Sequence, residues 1–124
     1  MTLEAFLTVL REQPLIVSVQ ASPGSAVEDT DTLLRLAQAS LAQGVRVLRL
    51  EGAERVARIR EATGAPVIGL IKRVDPDSPV YITPTAAEVD ALLGTGCEAV
   101  ALDATVRQTG LRSLVERIHK GKAL

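Results

Sequence analysis

The sequence predicts an α/β fold with parallel strands, and three observations carry that prediction. Short apolar runs at Leu15–Val19, Val45–Leu50, Pro66–Ile71 and Ala99–Leu102 recur along the chain, with strands starting every ~20–30 residues. Between them lie stretches whose apolar residues fall at helical spacing. The runs are bounded by turn residues and rich in β-branched side chains, the pattern of strands buried on both faces of a parallel sheet. Alternation of this kind brings right-handed crossovers with it. The only aromatic residues are Phe6 and Tyr81, so the core is built from Leu, Val, Ile and Ala, which suits strand–helix packing.

The elements follow in order. Leu3, Phe6, Leu7 and Leu10 mark one face of an amino-terminal helix over residues 2–13, which Pro14 stops. The first strand ends at Gln20, and ASPGSAVEDT is a loop with turn chemistry at Pro23-Gly24. Leu33, Leu34, Ala37 and Leu41 face inward from a helix over Asp31 to Gln43, with Gly44 as its stop. The second strand carries Arg46 and Arg49. Gly52 turns the chain into a short helix holding Val56 and Ile59, closed by Gly64. The third run ends in two cations, Lys72 and Arg73, followed by a loop rich in proline and aspartate. Thr85 and Glu88 then form a Thr-x-x-Glu capping box for a helix with Val89, Leu92 and Leu93, ended by Gly94 or Gly96. The fourth strand ends at Asp103. Leu111, Leu114, Val115 and Ile118 form the stripe of the last helix.

Two architectures fit this order: a small open sheet, or half of an eight-stranded barrel. A full (β/α)8 TIM barrel takes about 250 residues. The 124 residues here hold an amino-terminal helix and four βα units, so residues 1–124 are expected to form a single partial barrel domain.

Composition excludes several classes. Acidic and basic residues nearly cancel, at a net charge of −1, and no basic block or aromatic–basic interleaving points to nucleic acid. No apolar run reaches membrane-spanning length. Glu4, Arg11 and Glu12 interrupt the amino-terminal apolar residues, against a secretory signal. The single cysteine, Cys97, reads as a buried filler and fits a reducing cytoplasm. With one histidine, His119, near the end of the last helix, and no paired Cys-x-x-Cys, no metal site is expected. Arg55, Arg58 and Arg60 read as a solvated helix face.

Each strand closes on a polar residue: Gln20, Arg49, Lys72 and Asp103. Side chains alternate faces along a strand, so counting back by twos gives the row each terminus belongs to. Those rows are Gln20, Ser18, Ile16; Arg49, Val47, Val45; Lys72, Leu70, Ile68; and Asp103, Ala101, Ala99. In each, a polar group continues a mainly small or apolar row, as in a barrel interior with a polar mouth. Strands also end in polar residues simply because they end at the surface. Four complementary types on adjacent strands favour a site, at the strand ends where α/β folds place their chemistry.

The segments LIVSVQASPGS, VLRLEG, VIGLIKR, PDSPVYITPT and ALDAT closely resemble the N-acetylmannosamine-6-phosphate 2-epimerases, TIM-barrel enzymes of sialic acid catabolism. The likeness runs through essentially the whole chain in order. It implies inversion at C2 between N-acetylmannosamine 6-phosphate and N-acetylglucosamine 6-phosphate, without an organic cofactor. The family lysine matches Lys72, the proton-transferring group, and Gln20 and Arg49 match substrate-contacting residues. Asp103 and Thr105 match the fourth-strand motif, and Arg73 beside the lysine completes the candidate substrate-binding set. A lysine acts as a base only if neighbouring cations or desolvation bring its pKa toward working pH. A strand-end lysine in a barrel can also attack a carbonyl, so a Schiff-base aldolase is a rival, as is a non-catalytic half-barrel module.

The family's partner glutamate and its phosphate-holding glycine-rich loops belong to the second half of its barrel. The chain therefore resembles the amino-terminal half of the enzyme, with its first and fourth strands as unpaired edges. The expectation is a homo-oligomer, or completion by a second half-barrel on another polypeptide.

Overall fold

A computed structural model describes all residues, 1–124. The order is α1 (Leu3–Glu12), β1 (Ile16–Val19), α2 (Thr30–Ala42), β2 (Val47–Glu51), α3 (Ala53–Thr63), β3 (Val67–Leu70), α4 (Ala86–Leu93), β4 (Ala99–Val100) and α5 (Leu111–Lys120). The four strands form one parallel sheet in the order β1-β2-β3-β4. Four successive βα units with neighbouring parallel strands are the architecture of half a TIM barrel, one of the two arrangements that the alternation allows.

Local chemistry sets the helix ends. Thr2 caps α1 by accepting from the Ala5 N–H, and Asp29 caps α2 by accepting from the Thr32 N–H at 2.8 Å. The Thr85/Glu88 capping box is present on α4, which Gly94 closes. Gly64 ends α3 in the left-handed region (φ +66°), where a Cβ would be strained.

Within the strands, alternate residues face opposite sides of the sheet; Val45, which the two-residue count puts in the Arg49 row, lies before β2 and packs into the helix-covered core instead. On the helix-covered face, Val19, Leu48, Leu50 and Val67 pack with Leu33, Ala37, Val56, Ile59 and Leu92. On the opposite face, Val47 and Ala99 pack around Phe6 of α1, with Ile68 and Leu124 at their margin. The helix α1 thus lies under the inner face of the sheet, and the rows carrying the polar termini belong to that inner face. The register places Ser18, Arg49, Ile68 and Ala99 side by side.

Three strand carboxyl ends differ from expectation, each for a visible reason. The second strand runs through Glu51 because it pairs with Leu70. The third and fourth strands end early, at Leu70 and Val100. There the fully buried Thr83 enters between them: its N–H donates to Ile71 O at 2.7 Å, and its hydroxyl donates to Ala101 O at 2.7 Å. Thr83 takes φ +47° to do so. Finally, β4 is not a bare edge. The Leu124 N–H donates to Glu98 O at 2.9 Å and Leu124 O accepts from the Val100 N–H at 2.8 Å, the pattern of a parallel neighbour opposite Ala99. The β1 edge has no such cover, and Leu15 and Ile16 are exposed there.

The arginines of α3 are not a solvated face. Arg60 makes a forked contact with Glu98, and Arg55 is half-buried between Glu51 and Glu28. Only Arg58, 3.9 Å from Asp31, fits the expectation of an exposed charge. The acidic partners lie far away in sequence or beyond a turn, which periodicity along one helix does not reveal.

Candidate functional site

Beyond the carboxyl ends of β1, β2 and β3 lies a cleft of about 400 Å³. It is lined by Gln20, Ala21, Ser22, Pro23, Glu28, Glu51, Arg55 and Lys72. Such a position follows from the fold: parallel strands aim their last side chains at one rim, and the loops after them form the walls. Gln20 stands just past β1 and donates from Nε2 to Ser18 Oγ at 2.6 Å. Arg49, one layer deeper, donates from Nη1 to the same hydroxyl at 3.4 Å. Ser18 therefore joins the amide and the guanidinium that the parity argument placed on one face.

Lys72 is exposed at the rim. Its backbone N–H donates to Glu51 Oε1 at 3.3 Å, and its ammonium enters none of the ion pairs of the molecule. Beyond it the chain makes a small antiparallel excursion, closed by bridges Lys72↔Ile82 and Asp75↔Ser78. Asp103 holds the return of this excursion: Oδ2 accepts from the N–H groups of Tyr81 and Ile82, at 3.0 and 3.1 Å. Its contact with the cleft is thus through the loop that leaves Lys72.

The remaining two candidates stand elsewhere. Arg73 pairs with Glu88 at 3.3 Å and lines a separate hollow of about 230 Å³ with Arg107, Thr85 and Thr109. Thr105 is exposed beyond β4, its carbonyl accepting from the Gln108 N–H, and it lines neither cavity. The structure brings Gln20 and Lys72 to one cleft, links Arg49 to Gln20 through Ser18, ties Asp103 to the loop that leaves Lys72, and leaves Arg73 and Thr105 outside.

Sequence reasoning missed Glu28, Glu51 and Arg55. A signal was present: Glu51 and Arg55 stand four apart across the Gly52 turn, the spacing of an opposite-charge pair. Cys97, at the other end of the sheet, is buried, and burial pushes its thiol up, as befits a filler rather than a nucleophile.

Residues 33–124 match the family model described as "Putative N-acetylmannosamine-6-phosphate epimerase". The chain belongs to that family. Two curated relatives, each "Putative N-acetylmannosamine-6-phosphate 2-epimerase", illustrate the likeness. That of Clostridioides difficile (strain 630) is 43% identical over 114 residues, covering 89% of this chain and 51% of its own. That of Yersinia pestis (strain Pestoides F) is 45% identical over 94 residues, covering 76% and 40%. A solved structure of the N-acetylmannosamine-6-phosphate 2-epimerase from Clostridium perfringens superposes with a TM-score of 0.84 at 40% identity, over 88% of this chain and 49% of that one. The chain thus spans about half the length of the epimerase-family relatives it matches. No helix is long and apolar enough to cross a membrane.

Proposed function

We propose that this chain supplies the Lys72-bearing part of a site that inverts C2 of a phosphorylated N-acetyl amino sugar, interconverting N-acetylmannosamine 6-phosphate and N-acetylglucosamine 6-phosphate. The observation that carries the reading is the convergence of Lys72 and Gln20 on one strand-end cleft, in a chain of the epimerase family. In an open-chain sugar, C2 lies beside the C1 carbonyl. Breaking the C2–H bond sends the proton to a base and the electron pair toward that carbonyl oxygen; reprotonation from the opposite face inverts the centre. Lys72 is the proton-transferring group on one face. Gln20 holds a sugar hydroxyl or the N-acetyl group without adding charge, and Arg49 sets a cation beneath the oxygen that gains electron density. Asp103 serves by fixing the loop that follows the lysine.

Inversion also requires a proton donor on the other face. The open β1 edge, and the outer edge of β4 where Leu124 has already begun a parallel pairing, are where further β/α elements add. Further β/α elements packed there, from a second copy or any other stretch of polypeptide, complete the barrel and supply the second group and the phosphate contacts. The reading places the protein in the cytoplasm, where sugar phosphates are retained and a free thiol such as Cys97 stays reduced.

The test is exchange of the C2 hydrogen of N-acetylmannosamine 6-phosphate with deuterated water, followed by proton NMR. Wild type is expected to wash out the C2 signal and Lys72→Ala to lose that exchange. Exchange that persists in Lys72→Ala, or is absent from wild type under all conditions, overturns the reading.

A further inference from the structure

We propose that Arg55 is a positioning residue of the cleft: with Glu51 and Glu28 it forms a brace that fixes Lys72 against the loop following β1. The sequence of contacts is continuous. Glu51 Oε1 accepts from the Lys72 backbone N–H at 3.3 Å, while Oε2 lies 3.3 Å from Arg55 Nη1. Arg55 Nη2 donates to Glu28 O at 2.7 Å and stands 3.9 Å from Glu28 Oε1. Glu28 Oε2 accepts from the Gly24 N–H at 2.5 Å. One guanidinium thus spans from the end of β3 to the Pro23-Gly24 turn, and the two walls of the cleft are held apart by its width.

Three features distinguish this from an incidental surface pair. The side chains of Arg55 and Glu51 are each 20% exposed, against 95% and 72% for Arg112 and Glu116, also spaced i,i+4. Exposed pairs of the latter kind contribute little. The three braced residues all line the cleft with Gln20 and Lys72. And the contacts use the planar fork of arginine in two directions at once, which the single point charge of a lysine cannot reproduce. Glu51 is committed to this network on both oxygens, so its part is to orient the lysine through its backbone.

The importance of the brace for turnover rests on Lys72 being the reacting group; the brace itself does not. The test therefore reads structure first. In the full chain, amide exchange and ¹⁵N–¹H spectra are recorded for Arg55→Lys, Arg55→Met, Glu51→Gln, Glu51→Ala and, as a control on the same helix, Arg58→Met. Both Arg55 variants are expected to speed exchange of the Gly24 amide about tenfold or more and to shift the Lys72 amide resonance, with Leu48 and Leu50 protection unchanged. Arg58→Met changes neither. Glu51→Gln, which keeps an acceptor for the Lys72 N–H, shifts that resonance less than Glu51→Ala. Wild-type behaviour of Arg55→Lys overturns the proposal, and so does a loosened loop with an unmoved Lys72 amide. Should the Arg55 variants lose protection across β2, the Glu51 pair decides: equal shifts in Gln and Ala overturn it. C2 exchange separates the two readings: if it is absent while the brace signals hold, only the epimerase reading falls, and full activity in Arg55→Met overturns only the claim that Arg55 positions Lys72 for turnover.

Discussion

Glu98→Gln is expected to destabilise the chain by an amount that depends on pH. The Glu98 side chain is 10% exposed and sits between α3 and the start of β3. Oε1 accepts from Arg60 Nη2 at 2.7 Å and Nε at 3.1 Å; Oε2 accepts from the Val67 N–H at 2.8 Å. A glutamine has one acceptor oxygen and one amide donor. Whichever way it turns, its NH₂ faces either the guanidinium or the Val67 N–H. Losing a charge-assisted hydrogen bond in such a site costs about 1.5–3 kcal/mol. Arg60 is 38% exposed and is rehydrated in the variant, which places the expected loss near ~2 kcal/mol. For a domain of this size that lowers Tm by roughly 6–10 °C.

The pH dependence has a fixed sign. Burial alone pushes the Glu98 carboxyl up, but hydrogen bonds from Arg60 and from the Val67 N–H outweigh it and hold the group below the ordinary 4.5. A carboxylate lowered in the folded state stabilises fully above its unfolded pKa, and that contribution is lost as pH falls through the folded value. The difference between wild type and Glu98→Gln is therefore widest near neutrality and shrinks below about pH 4.5. Urea unfolding followed by circular dichroism at several pH values between 7 and 3 measures it. A gap of equal size across that range, or no gap at pH 7, refutes the reasoning.

Gly69→Ala places a Cβ 3.0 Å from Leu92 Cδ2 and 3.3 Å from Cys97 Sγ, inside the helix-facing core, so a loss of about 1–3 kcal/mol is expected in the same unfolding assay. Thr85→Ala removes one half of the capping box and is expected to cost about 1 kcal/mol, with faster amide exchange confined to the first turn of α4. Asp103→Ala leaves two amides without an acceptor; exchange at Tyr81 and Ile82 should accelerate while β2 protection holds.

Much of this architecture was legible because it rests on short-range patterns. Strand runs, the Thr-x-x-Glu box and the two-residue alternation that put Gln20, Arg49 and Lys72 on one face all operate within a few residues. What periodicity could not show was pairing across long separations. Thr83 looks like an ordinary loop residue, yet its hydroxyl replaces the ladder between Ile71 and Ala101. Arg60 reads as surface until Glu98, in another βα unit, is beside it. Arg55 reads the same way until the loop after β1 folds back over it. Glu51 escapes sequence reasoning because the apolar run stops at Leu50, one residue short of the pairing that carries it to the rim. Asp103 was legible as a strand-end carboxylate, but its engagement with Tyr81 and Ile82 depends on the path of a loop that sequence does not fix.

The most direct test of the cleft is a titration of the ¹⁵N-labelled chain with N-acetylmannosamine 6-phosphate, following every amide. The account predicts that the largest shifts fall on Gln20, Ala21, Ser22 and Lys72, and that Lys72→Ala weakens them. Shifts centred instead on the groove of Val17, Leu36 and Ala39 beside the open β1 edge, or on the Arg73–Arg107 hollow, with Lys72 unmoved, would contradict it.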